Sequence, residues 1–239
     1  MSGADGAPPG GPRRLVLTLS GGRLPRALDM LLRLFGSDGL PELHAMFIED
    51  SDLLKAASLP FAFEFCAATS ARRPIDRARI EAHLRREAAA AERGLAELAR
   101  TSGLRWQFEV VRERTRVVVT RALALTDAVV VTPREESPTP GTGGVTCIFA
   151  DDDAGRRACA VAAALARAGH LPLEQWRLVD DATTDAAPSA ATLTAAALPA
   201  MLRRPGAQLT VLPAALVETL DASVHDLAEF ATAPLVIVR

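Results

Sequence analysis

Ser20, Gly21 and Gly22 are the residues best placed to do chemistry, because they follow an apolar run (LVLTL) and open an amphipathic one. A turn at that place offers backbone N–H groups to an anion, which is the chemistry of phosphate binding at a helix start. The spacing fits neither G-x-G-x-x-G nor the P-loop pattern, since no Lys follows. A tight strand-to-helix turn is the plainer reading, Gly being the default residue there. Glu49, with Asp50 beside it, ends a second apolar run at residues 42–49. That is the carboxyl edge at which open α/β sheets take ligands, although adjacent like charges are more commonly solvated.

The other reactive side chains have structural readings. Asp151, Asp152 and Asp153 precede an Ala-rich helical pattern. Carboxylates there satisfy the free N–H groups and the dipole of a helix start, whereas a magnesium site would ordinarily need substrate phosphates too. Gly141 and Gly144 form a G-x-x-G, but a strand pattern follows and Arg156 stands where a Ser or Thr would be needed, so this is linker composition. His44, His83, His170 and His225 are scattered, with no G-x-S-x-G or Cys-His arrangement beside them. Cys66, Cys147 and Cys159 are odd in number, contain no C-x-x-C pair and lie among apolar residues. They read as buried free thiols. No catalytic residue and no metal site is expected.

Two segments share one pattern of apolar strand, short polar turn and amphipathic helix: residues 15–35 and 145–168. A repeat at this long spacing implies two tandem α/β units, a solenoid having a far shorter period. The first unit reads as strands at 14–20, 42–49, 106–112 and 128–131, with helices at 24–35 and 76–99. Residues 114–126 are ambiguous between strand and helix, and helix is favoured because a crossover between parallel strands demands one. Phe61, Phe63 and Phe65, spaced by two, suggest a short extended piece folding back on the core. The second unit reads as strands at 145–150, 174–180, 208–212 and 235–238, with helices at 154–168, 192–203 and 220–230. It is the shorter unit and has no third strand of its own. The expected organisation is a leader at 1–12, unit one at 13–134, a Pro- and Gly-rich linker at 135–144 and unit two at 145–239. The eight strands leave open edges in either unit alone, so the C-terminal strand is expected to cover an edge at the junction.

Composition narrows the function. The formal net charge of −2 and arginine pairs set among acidic neighbours give no one-signed face for nucleic acid. The chain has no Tyr to serve as a stacking platform. Charges interrupt every apolar run, so no membrane span is expected. The leader lacks the apolar stretch of a secretory signal, and the expectation is a cytoplasmic protein.

The segments LVLTLSGG, LHAMFIEDSDLLKAASLPFAFEF and GLRWQFEVVRERTRVVVTRALALTDAVVV resemble the universal stress protein family, as does the closing TAPLVIVR. The resemblance implies open parallel sheets of the adenine nucleotide alpha hydrolase-like type, in tandem divergent copies. It also implies a homodimer or an intrachain pseudo-dimer and, in one branch of the family, an ATP site. That site uses an Asp ending the first strand and a G-x-x-G…G-[ST] loop after the fourth. Here Ser20 replaces the Asp; Thr132, Pro133, Arg134 and Glu135 follow one fourth strand and Pro213, Ala214 and Ala215 the other. The expectation is therefore a non-enzymatic stress-response or regulatory protein acting through protein contacts. Its nucleotide site, Ser20, Gly21, Gly22 and Glu49, would be degenerate and without a required cofactor. The alternative is an ATP-binding switch with a divergent phosphate loop.

Overall fold

The structure, a computed structural model, describes residues 14–25, 28, 31–32, 42–66, 70–133, 143–179, 191–204, 206–219, 227 and 231–239. The expected leader, most of the linker and most of the 24–35 and 220–230 helices lie outside these residues.

The apolar runs become strands: β1 (Arg14–Leu19), β2 (Glu42–Ile48), β5 (Arg105–Val111), β6 (Ala128–Val131), β7 (Val145–Phe149), β8 (Leu173–Val179), β9 (Ala191–Thr194), β10 (Leu209–Pro213) and β11 (Leu235–Val238). All nine join one sheet in the order β5-β2-β1-β6-β11-β10-β7-β8-β9. A separate antiparallel hairpin is formed by β3 (Phe63–Cys66) and β4 (Ala71–Pro74). The described helices are α1 (Ser51–Ala57), α2 (Arg77–Ser102), α3 (Thr115–Leu125), α4 (Asp153–Gly169), α5 (Leu198–Leu202) and α6 (Ala214–Thr219). This is an α/β fold with a mostly parallel open sheet.

The central strands β1, β6, β7, β10 and β11 are apolar almost without interruption, as strands covered on both faces must be. Their alternating side chains feed two cores. On one face Leu15, Leu17 and Leu19 of β1 join Leu84, Ala88, Ala91 and Leu95 of α2, and the same core continues to Ala158, Ala162 and Leu165 of α4. On the other face Val16 and Val129 meet Val119 and Ala122 of α3, and that core runs on to Leu202 of α5 and Leu216 and Val217 of α6. Both cores cross the middle of the sheet, where β11 pairs antiparallel with β6. The register there sets Leu235 against Val131, Val236 against Val130, Ile237 against Val129 and Val238 against Ala128. The C-terminal strand thus covers the β6 edge, as the exposed-edge argument requires.

Local signals explain the helix ends. Asp76 caps α2 by accepting from the N–H groups of Ala78 and Arg79, and Gly103 ends it in the left-handed region at φ 69°. The ambiguous 114–126 segment is helical, since Val118, Val119 and Ala122 share its buried face.

Three expectations are corrected. The 192–203 helix is instead β9, a 3-10 turn (Ala195–Ala197) and the short α5. Thr192 and Thr194 are β-branched, and pairing of β9 with β8 outweighs the helical propensity of the alanines that follow. The second half therefore has a third strand, and the main sheet has nine strands where eight are expected. Residues 214–219, given no element in the sequence reading, form α6, which starts directly after Pro213. Finally, Phe61, Phe63 and Phe65 are 70%, 44% and 68% exposed and do not fold back on the core. Phe63 and Phe65 alternate within the separate hairpin, and Phe61 lies in the turn before it.

Candidate functional site

Ser20, Gly21 and Gly22 leave the end of β1 as expected, and the turn is occupied from within the chain. The Gly22 N–H donates to Glu87 Oε2 of α2 at 2.7 Å. A Cβ at position 22 would lie 2.9 Å from that oxygen, 3.0 Å from the Glu87 carbonyl oxygen and 3.1 Å from Ala90 Cβ. Gly22 is thus required by the close approach of α2 to the turn. At Gly21 the nearest such atom, Glu87 Oε2, is 4.0 Å away, so the need for glycine does not extend to it.

Glu49 is buried at the end of β2, where Arg112 donates to its Oε2 from Nε at 3.0 Å and Nη2 at 2.8 Å. Its own N–H bonds the Val111 carbonyl, continuing the β2–β5 ladder. A carboxylate this buried needs a paired cation, and Arg112 supplies it. Asp50 serves as the N-cap of α1, and Asp52 pairs with Arg114 at 3.0 Å. The exit of β6 is tied to β1, because the Thr132 hydroxyl donates to the Thr18 carbonyl at 2.9 Å. Glu49 and Ser20–Gly22 both lie at carboxyl ends of adjacent strands, and each engages a separate partner in the chain.

The acidic triplet is also spent on structure. Asp152 caps α4 by accepting from the Gly155 N–H at 2.6 Å, Asp151 pairs with Arg177 at 2.9 Å, and Asp153 pairs with Arg156. Among the described residues no group of three or more His, Cys, Asp or Glu is arranged to hold a metal ion. His44 lies 3.5 Å from Glu109, and His170 is the left-handed C-cap of α4. His83 is exposed on α2. His225 lies outside the described residues.

Reasoning from sequence also missed a thiol pair. Cys147 of β7 and Cys159 of α4 bring their sulfurs to 3.5 Å, although twelve residues separate them. Burial, then the neighbouring thiol, pushes Cys147 far above the usual thiol range, and burial likewise raises Cys159. Both are protonated near neutral pH. The signal was available in the strand–turn–helix pattern, which lays the helix on the strand it follows.

A cavity of about 190 Å³ opens elsewhere, at the amino ends of β7 and β10, where Thr146, Thr210, Glu174 and Arg204 contribute to its lining.

No family model matches the chain, and no curated protein does. Among solved structures it is similar to a universal stress protein from Archaeoglobus fulgidus DSM 4304, at 10% identity and a TM-score of 0.45 over 94% of this chain and 96% of that one. A Pseudomonas aeruginosa UCBPP-PA14 protein described as a universal stress protein matches at 11% identity and a TM-score of 0.48, over 95% and 93%. The cytoplasmic domain of a prokaryotic cation chloride cotransporter matches at 11% identity and a TM-score of 0.45, over 94% of both chains. No helix among the described residues is long and apolar enough to cross a membrane.

Proposed function

We propose that this chain is a universal-stress-like regulatory protein that acts through protein contacts without catalysis, and that its nucleotide site is degenerate. The Glu87 carboxylate on the Gly22 N–H carries the reading. A phosphate at the start of a helix is held by free N–H groups and a positive dipole. Here one of those donors already holds an internal negative charge, so a triphosphate would meet a carboxylate where it needs a donor. Ser20 in place of an Asp, the tie of Thr132 to Thr18 after β6, and the capping of Gly155 by Asp152 support the same conclusion.

The strand order supports a tandem reading. In each half's own numbering the first runs 3-2-1-4 and the second 5-4-1-2-3, with the fifth strand of the second half beside the fourth of the first. We assign residues 13–134 and 145–239 to two divergent copies that form an intrachain pseudo-dimer.

Calorimetric titration of the full chain with ATP and magnesium tests the functional reading. No saturable binding is expected. Micromolar saturable binding that a Gly21→Leu substitution abolishes would overturn it in favour of an ATP-binding switch.

A further inference from the structure

Among the described residues the buried polar side chains are Thr18, Glu49, Thr146 and Thr210. Those of the first half are paired within the chain. The Thr18 hydroxyl donates to the Val130 carbonyl at 3.3 Å, and Glu49 accepts from Arg112 at 2.8 Å. Thr146 and Thr210 are 6% and 5% exposed, yet among the described residues neither hydroxyl has a hydrogen-bond partner. Buried hydroxyls are ordinarily bonded, so two unpaired ones call for a partner from outside the chain. Both residues line the cavity of about 190 Å³ at the amino ends of β7 and β10. Arg177 Nε is the side-chain polar atom sealed away without a partner among the described residues; the two hydroxyls are not sealed, and the cavity is what they open to. We propose that this cavity binds a small zwitterion, a free α-amino acid with a short side chain.

Strand register builds the floor. Thr146 stands opposite Thr210 on one side and Glu174 of β8 on the other, which sets three polar residues in one row across three strands. Neighbouring strands lie about 4.8 Å apart, so the row spans roughly 10 Å. Residues two apart on a strand share a face. Two further along come Ile148, Leu212 and Trp176, which all pack in the core beneath α5, so the row faces α5 as well. Beyond Thr210 the row continues on β11 as Leu235, and the polar stretch ends there.

The end of α5 forms the roof, contributing Met201 and Leu202, with Arg204 just after it. It is pinned from the start of β11: the Thr232 N–H donates to the Leu202 carbonyl at 3.1 Å, and its hydroxyl donates to the Arg204 carbonyl at 3.1 Å. The Arg204 guanidinium lies over the Trp176 ring at 5.7 Å and reaches Met201 Sδ at 3.6 Å. Among the described residues no carboxylate pairs with Arg204 and no cation pairs with Glu174, although both line the same cavity.

These groups select the charge of the occupant. A bare anion that reaches Arg204 also meets Glu174, and a bare cation that reaches Glu174 also meets Arg204. A zwitterion suits both. Its carboxylate accepts from the guanidinium, its ammonium donates to Glu174, and the hydroxyls, able to donate and to accept, complete either group. Ile148, Met201 and Leu202 add apolar lining for a side chain. Size limits that side chain, because 190 Å³ is below the roughly 300–1,000 Å³ of pockets for drug-sized ligands. A nucleotide is too large. The site is therefore independent of the ATP question, which concerns the carboxyl ends of β1 and β2.

Isothermal calorimetry of the full chain with L-alanine tests the site. Saturable binding is expected, with a Kd below about 1 mM. L-lactate lacks the ammonium and L-alaninol lacks the carboxylate, and each is expected to bind about tenfold more weakly or worse. Combining Thr146→Val with Thr210→Val removes both hydroxyls at nearly constant shape. Because neither is bonded within the chain, the melting temperature should not fall, while binding should weaken about tenfold or more. Glu174→Gln, at an exposed position, should erase the preference for L-alanine over L-lactate. No saturable binding of L-alanine by about 10 mM would overturn the proposal. So would L-lactate or glycerol binding as tightly, the mark of a merely hydrated polar cavity, or undiminished binding by the double variant.

Discussion

Two adjacent glycines provide a sharp internal control on the packing of the β1 turn. Gly21→Ala places its Cβ 4.0 Å from Glu87 Oε2, an ordinary contact, and the glycine there has no positive φ. Its dominant effect is on the unfolded chain, and it is expected to stabilise the protein by about 0.4–1 kcal/mol. Gly22→Ala gains the same unfolded-state term but sets its Cβ within 3.1 Å of three atoms, two of which belong to the α2 backbone or its Ala90. Overpacking of that kind costs about 1–3 kcal/mol. If α2 moves away, the charge-assisted bond from Gly22 N–H to Glu87 weakens as well, and bonds to charged groups are worth about 1.5–3 kcal/mol. The net expectation is a loss of about 2–3 kcal/mol at Gly22. Urea unfolding followed by the fluorescence of Trp106 and Trp176 measures both. Adding Glu87→Ala to Gly22→Ala should relieve only part of the clash, because the Glu87 carbonyl and Ala90 remain. Equal effects of the same sign at positions 21 and 22 would refute the close-approach argument.

Alkaline pH offers a second test. Burial raises the Cys147 thiol in the folded state, so above its ordinary value of 9.0 the unfolded chain releases a proton that the folded one keeps. Stability then falls as pH rises, by up to about 1.4 kcal/mol per pH unit for one such group. The chain has no Tyr, and Lys55 is its single Lys, so few other groups titrate in that window. Melting temperatures measured from pH 8 to 10.5 should fall, and Cys147→Val should flatten the fall; an unchanged slope would count against it. The seam supplies a third test. Residues 1–136 expressed alone lack β11, leaving Val129 and Val131 on an open edge, and aggregation or self-association is expected. A soluble, monomeric fragment with a cooperative melt would show that β11 is dispensable.

Periodicity made the scaffold legible. The uninterrupted apolar runs of β1 and β6 mark strands covered on both faces, and the stripe from Leu84 to Leu95 marks α2. Asp152 as a cap followed from its place before α4. Long-range pairing was not legible. Nothing near Gly22 announces a carboxylate 65 residues away, and only the path of α2 across the turn brings Glu87 there. β9 was hidden because a four-residue edge strand carries less signal than the alanines beside it. The hairpin was visible as an alternation, but alternation alone does not say whether an apolar face meets the core or water.

The antiparallel pairing of β6 with β11 reverses the polarity of the sheet at its midline, all other pairs being parallel. The carboxyl ends of β1 and β2, with Ser20 and Glu49, therefore open on one rim of the molecule, and that of β7, with Asp151 to Asp153, opens on the opposite rim. The two halves present these loops on opposite rims, and no small molecule can touch both sets at once. The loops at the carboxyl ends of the two halves are therefore separated by the full length of the strands.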